Sequence, residues 1–299
     1  MSRLRRSRIE TIVTEEPLKI TVTAGNKEFV FDRRKAQFTA IKVDGKNMIQ
    51  KPVAYNFFRA PLDNDPMKED WFKSHINDYD IKVYQTNVRK ESDCVVITAK
   101  QSFGWNIHQP FGFVESEYKI DATGALTVSA KLDFTTNKVS LLPRFGLRFF
   151  VDKSFDSVEY FGYGPTESYI DKHQSTWLGN FASKIKDMHE DYIRPQENGS
   201  HYGCRHLTVK GGAGSIKISA TEQALNSPWK GFSFSASQYT QEELAAKKHN
   251  FELEPCEYNV ICADFAMAGV GSNSCGPALA EKYRIPLPHF EGSMRIELL

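Results

Sequence analysis

Two pairs of acids in this 299-residue chain stand at a spacing that could do acid–base chemistry: Asp63 with Asp65, and Glu115 with Glu117. Cleaving a glycosidic bond needs two carboxyl groups about 5 to 9 Å apart, one held protonated and one ionised. Glu115 and Glu117 fall in an alternating segment, where residues i and i+2 share a strand face, and acids so placed are usually solvated. The run from Asp63 also fails as a calcium loop, because its sixth position is Lys68 rather than glycine and its twelfth is Ser74 rather than glutamate. His201, Cys204 and His206 lie close together, and Cys204 and His206 would share a strand face, but no fourth ligand stands at a zinc-like spacing. No Gly-x-Ser-x-Gly elbow occurs, and Gly269-Val-Gly271 lacks the strand–loop–helix context of a phosphate loop. Metal and nucleophile chemistry therefore have no complete constellation in the sequence. Trp105, Trp177, Trp229 and Tyr163 could form sugar-stacking platforms, although aromatic residues at strand spacing more often pack inward.

The elements that must hold these residues are strands. Lys19–Val22, Glu28–Phe31 and Phe38–Val43 alternate apolar and polar residues, and the last runs into Asp44-Gly45, a dipeptide suited to a tight hairpin. The same period of two marks Ile81–Tyr84, Cys94–Thr98, Val114–Ile120 and Leu126–Leu132, the last two joined by Asp121-Ala-Thr-Gly124. Strands resume at His206–Val209, Ser215–Ser219, Phe232–Ala236, Tyr258–Phe265 and Met294–Leu299, with Gly211-Gly-Ala-Gly214 as a turn. One helix is predicted, Gln241–Lys248, opened by a capping box of Thr240 and Glu243. Strands about ten residues apart with little helix between them argue for an all-β fold, a large antiparallel β-sandwich. Residues 1–15 are expected to be a linker or tag remnant, and 16–299 one domain.

Composition agrees with a wide core. Hydrophobic residues make up 40% of the chain and aromatic residues 12%, with 21 Phe and 12 Tyr to fill the space between sheets. Thirty-eight basic against 37 acidic residues leave a formal charge of +1, which gives no field that would draw nucleic acid or an anionic membrane. No run of about 18 apolar residues could span a bilayer, and the basic start lacks the apolar stretch of a signal peptide. Five scattered cysteines make neither a disulfide framework nor a metal motif, so reduced thiols and a cytoplasmic location are expected.

Four segments carry a resemblance: Phe57-Phe-Arg-Ala-Pro-Leu-Asp-Asn-Asp65, Phe161-Gly-Tyr-Gly-Pro-Thr-Glu-Ser-Tyr169, Tyr192-Ile-Arg-Pro-Gln-Glu-Asn-Gly199 with Gly203-Cys-Arg205, and Ser233-Phe-Ser-Ala-Ser-Gln-Tyr239. A fifth, Met267-Ala-Gly-Val-Gly271, is a glycine turn. Their types and order resemble the C-terminal domain, or small chain, of bacterial β-galactosidases of glycoside hydrolase family 2, over roughly residues 16 to 299. The resemblance implies the supersandwich fold, similar to galactose mutarotase. It also implies that both catalytic glutamates and the catalytic magnesium belong to a (β/α)₈ barrel absent from this chain, so the chain itself has no catalytic residue, metal or cofactor.

By the same resemblance the partners are that barrel, as part of one parent chain or as a large subunit, and a galactoside. The loop after the glycine turn is implied to reach the sugar, which gives Asn273, Ser274 and Cys275 as substrate-binding residues. Cys275 falls where many members carry a stacking tryptophan, which puts a preference for lactose in doubt; it could equally be a small buried hydrophobe. Arg59, Asp63, Asn64 and Asp65 are the expected domain-interface residues, with Arg59 free to pair with either aspartate and so fix the loop. Two rival functions are an independent carbohydrate-binding module, which needs an exposed aromatic platform, and an aldose 1-epimerase. The second needs a histidine facing a glutamate, and the sequence pairs none of His108, His173, His201 or His206 in that way.

Overall fold

A computed structural model describes residues 11–136, 138–272 and 276–299. Three antiparallel sheets hold about half of these residues. The first follows chain order: β1 (Thr11–Glu15), β2 (Lys19–Ala24), β3 (Lys27–Asp32), β4 (Gln37–Val43) and the two-residue β5 (Lys46–Asn47). Asp44 and Gly45 close the β4–β5 hairpin at φ +49° and +77°, as the dipeptide requires. Of the residues expected to be a linker, Thr11–Glu15 form β1. Thr11–Glu15 pairs along its length with β2 because Thr11 is buried and Val13 packs on the core, so the ordered fold includes these five residues.

The second sheet has nine strands. At one end stand β7 (Asp80–Lys90), β8 (Cys94–Gly104), β9 (Gly112–Asp121) and β10 (Leu126–Phe134). At the other stand β12 (Ser157–Gly164), β13 (Trp177–Lys184), β15 (His206–Gly211) and β16 (Gly214–Ala220). β19 (His289–Leu298) joins the halves by pairing with β16 on one side and β10 on the other, giving the order β13-β12-β15-β16-β19-β10-β9-β8-β7. The third sheet runs β14 (Ser200–Cys204), β17 (Phe232–Ser237), β18 (Tyr258–Met267), β11 (Arg144–Asp152) and β6 (Lys51–Asn56).

The second and third sheets face each other across an aromatic core. Tyr55 of β6 stacks on Phe145 of β11 at 5.6 Å between centroids, meets Phe103 of β8 edge-on, and bonds its hydroxyl to Ser116 of β9 at 2.7 Å. Phe57 continues this layer against Phe103, Phe111 and Phe145. The first sheet joins the same core, with Phe31 and Phe38 both 5.3 Å from the Tyr118 ring of β9.

Every strand predicted from alternation is present, several extended. Seven others, β1, β5, β6, β11, β12, β13 and β14, lie outside the predicted segments. β11 is covered on both faces, so its apolar residues run continuously instead of alternating. The predicted helix exists as α2 (Gln241–Ala246), two residues short of Lys248 because Lys247 is already extended. The Thr240 hydroxyl accepts the Glu243 N–H at 3.1 Å, while the Glu243 carboxylate accepts the N–H of Glu254 at 3.1 Å, drawn to the following loop instead of back to the cap. A further helix, α1 (Lys68–Lys73), follows the Phe57–Asp65 segment and buries Trp71.

Candidate functional site

Beyond β6 the chain turns inward, and Arg59 becomes wholly buried. Its guanidinium meets Asp65 in two parallel hydrogen bonds of 2.6 and 2.8 Å, and Asp65 Oδ2 also accepts the Leu62 N–H at 2.7 Å. The planar fork of arginine matches a carboxylate in this geometry, and together the contacts close residues 59–65 into a rigid loop. The guanidinium also lies 5.0 Å from the Trp71 ring of α1, whose indole N–H donates to the Leu141 carbonyl at 2.9 Å. Of the four expected interface residues, Arg59 and Asp65 therefore spend their charges on each other inside the chain. Asp63 and Asn64 stand on the outer turn of the loop, where Asp63 pairs with Arg194 at 2.7 Å.

The second segment leaves β12 and brings Glu167 beside the third segment. Glu167 accepts hydrogen bonds from Lys172 at 2.5 Å, Tyr192 at 2.8 Å, the Gly199 N–H at 3.0 Å and Tyr169 at 3.3 Å. Burial pushes its carboxyl up, but the hydrogen bonds from Lys172 and Tyr192 outweigh that and hold it below its ordinary value. Ser168 ties the same segments through backbone, with its N–H on the Ser200 carbonyl at 2.7 Å and its hydroxyl accepting the Tyr202 N–H at 2.9 Å.

The glycine turn arrives from β18 and is captured by Asp171. One carboxylate takes the N–H of Val270 at 2.9 Å, of Gly271 at 3.0 Å and of Ser272 at 2.9 Å, together with the Ser272 hydroxyl at 2.8 Å. Successive backbone N–H groups form a nest for an anion, here supplied by the protein itself. A Cβ on Gly269 would run into that carboxylate, so glycine is what allows the close approach. Asp171→Ala is expected to speed amide hydrogen exchange at Val270 and Ser272 by at least about tenfold, since a hydrogen bond to a charged group contributes about 1.5 to 3 kcal/mol. Unchanged exchange rates there would show that the turn holds without its anion.

These segments meet around one cleft of about 510 Å³, lined among others by Asp63, Asn64, Glu167, Asp171, Tyr192 and Gly271. Under it lies a buried charge cluster. Arg144 of β11 binds Asp264 of β18 through contacts of 2.6 and 3.1 Å, and its third nitrogen lies 3.6 Å from Glu197, which is only 4% exposed and also borders the cleft. Burial works against the charge of Arg144, yet the carboxylates of Asp264 and Glu197 overcome it and raise its pKa. Glu197 is pushed by burial to about 7, against the pull of the Arg144 and Arg59 guanidiniums. Glu197 Oε1, Arg144 Nη1 and Arg59 Nε have no hydrogen-bond partner among the described residues.

The expected substrate-binding residues Asn273, Ser274 and Cys275 lie outside the described residues; the chain leads into them from Ser272 at the rim of the cleft. The other candidates disperse. Glu115 pairs with Lys100 at 2.7 Å and Glu117 with Arg89 at 3.4 Å on the outer face of the large sheet. His201 Nδ1 lies 3.0 Å from the Tyr160 hydroxyl and 3.1 Å from the Tyr163 carbonyl, and burial lowers its pKa to about 4. Cys204 Sγ faces the carbonyl of His206, and a bulge in β14 separates it from His201. Among the described residues no three His, Cys, Asp or Glu side chains could hold a metal ion. Trp229 is buried, Trp105 stacks on His75 at 4.7 Å, Tyr163 lies against His173 and Tyr202, and Trp177 is 58% exposed. Sequence reasoning missed Asp171, Arg144, Asp264 and the role of Glu197. Glu197 lies within Tyr192–Gly199, but nothing local signals that it would be buried between two arginines.

A family model described as the β-galactosidase small chain matches residues 23–296. A β-galactosidase of Actinobacillus pleuropneumoniae is 37% identical over 288 residues, which cover 96% of this chain and 27% of that protein. One from Staphylococcus xylosus is 30% identical over 292 residues, covering 97% and 28%. The chain thus spans little more than a quarter of the length of these curated relatives. Among solved structures, a putative aldose 1-epimerase from Escherichia coli K12 superposes with a TM-score of 0.49 at 10% identity, over 97% of this chain and all of the other. A galactose 1-epimerase from Lactobacillus acidophilus NCFM gives 0.46 at 10% identity, over 97% and 99%. No helix among the described residues is long and apolar enough to cross a membrane. The match along almost the whole chain, including every segment that meets at the cleft, shows that this protein belongs to the β-galactosidase small chain family.

Proposed function

We propose that this chain is a non-catalytic part of a β-galactosidase of the glycoside hydrolase family 2 type. In this reading the catalytic (β/α)₈ barrel, on the same parent chain or on a large subunit, seats against the cleft. Asp63 and Asn64 contribute to that contact, and the loop that leaves Ser272 enters the galactoside pocket with Asn273, Ser274 and Cys275. The observation that carries the proposal is the convergence of four separate sequence segments on one cleft whose rim is the glycine turn, fixed in place by Asp171. A domain that delivers a loop to a neighbour's active site needs such an anchor, because a loop positioned to within an ångström contributes to rate and a loose one does not.

The division of labour follows. The acid/base glutamate, the nucleophilic glutamate and the magnesium reside in the barrel, and this chain supplies shape to the aglycone side of the pocket. Cys275 in place of an indole would leave that side wider and less suited to stacking. A reducing, cytoplasmic setting suits four cysteines that are free thiols among the described residues. The chain alone is expected to leave nitrophenyl galactoside unhydrolysed, and adding the matching large fragment is expected to restore turnover. Hydrolysis by the chain alone would refute the reading.

A further inference from the structure

The nine-stranded sheet ends on β7 at one side and β13 at the other, and the two edges differ in kind. β7 is broken by a bulge between Val83 and Gln85 and carries Asp80, Lys82, Arg89 and Lys90. Bulges and charges are the devices that keep a free edge from pairing with another chain. β13 has neither. Its eight residues pair with β12 without a register shift, and Lys184 is its one charged residue, held by Asp156 at 2.8 Å. Trp177 is 58% exposed and Leu178 is 39% exposed on this strand. Among the described residues no backbone group pairs with its outer side, since β13 neighbours β12 alone.

We propose that β13 is an assembly edge, and that its partner is β13 of a second copy of this chain, paired antiparallel to continue the sheet. The sequence of the strand supports self-pairing. A two-fold axis perpendicular to the sheet brings together only residues that point to the same face, so positions of equal parity oppose each other. With the axis at Asn180, Leu178 meets Ala182 and Trp177 meets Ser183 of the other copy, so each large apolar residue meets a small one. Gly179 meets Phe181, and Lys184 falls beyond the partner strand opposite Thr176, so no like charges oppose. One eight-residue strand buries less than the ~1,200 Å² at the low end of standard interfaces, so the dimer is weak and concentration-dependent. The inference is independent of how the chain completes an enzyme, because the edge lies apart from the cleft-lining residues.

Sedimentation velocity on the full chain, from micromolar to hundreds of micromolar, tests it. A monomer–dimer equilibrium is expected, with Trp177 emission shifting to the blue and the 177–184 amides gaining protection as concentration rises. Leu178→Lys is expected to raise the dimer dissociation constant at least about tenfold, because a lysine on an edge strand opposes pairing. Ala182→Glu alone should do likewise, whereas the two substitutions in one chain set opposite charges across the axis twice and should restore dimerisation, a recovery that misfolding could not produce. A chain that stays monomeric throughout, a dimer indifferent to Leu178→Lys, or protection of β13 only when a separate catalytic part is added would each overturn the proposal.

Discussion

Arg59→Met is expected to lower the unfolding free energy by about 3 to 5 kcal/mol, the cost of breaking a buried ion pair from one side. Methionine fills most of the volume, so the loss comes chiefly from electrostatics. Without the guanidinium, the Asp65 carboxylate keeps a single hydrogen bond, from the Leu62 N–H, in a place with almost no solvent contact. Trp71 loses its cationic neighbour at the same time. The control is Arg59→Met combined with Asp65→Leu. Removing both charges leaves no orphaned ion, and the double variant is expected to lie within about 2 kcal/mol of wild type. Urea denaturation of the three chains measures the cycle. If the single variant falls by less than about 1 kcal/mol, the pair does not brace the loop beneath Asp63 and Asn64.

Glu197→Gln is expected to change how stability depends on pH. The folded chain holds the Glu197 proton until about pH 7, whereas an unfolded chain releases it near the ordinary value of 4.5. A folded pKa above the unfolded one contributes stability that is fully present below pH 4.5 and is lost as pH rises through 7. Over that interval wild type should lose about 3 kcal/mol relative to the glutamine variant. Above pH 7 the variant is the more stable chain, because it no longer buries a charge whose distance to the nearest cation is 3.6 Å, too long for a hydrogen bond. Chemical unfolding at a series of pH values gives both curves. Parallel curves between pH 4.5 and 7 would mean that Glu197 is ionised in the folded chain throughout.

The fold was legible wherever a strand has one wet face and one dry face. Val114–Ile120 reads directly from the sequence because Val114, Ser116, Tyr118 and Ile120 point inward and the residues between them outward. β11 and β14 hid because no face of theirs is wet, so nothing forces polar residues into alternate positions. The cleft was legible only through family resemblance, since its walls come from residues far apart in the chain. Arg144 and Asp264 show the difficulty most clearly. They are 120 positions apart, and the bulge between Phe145 and Gly146 shifts the register of the two strands that carry them. Periodicity places each on a strand but cannot say which residue lies across from which.

The central position of β19 has a consequence for how the molecule is put together. Chain order delivers the two wings of the large sheet first, each ending in a bare rim at β10 or β16, and the seam between them stays open until His289–Leu298 slots in. Cooperativity across the nine strands thus depends on one strand, the tie that makes a single sheet of two wings.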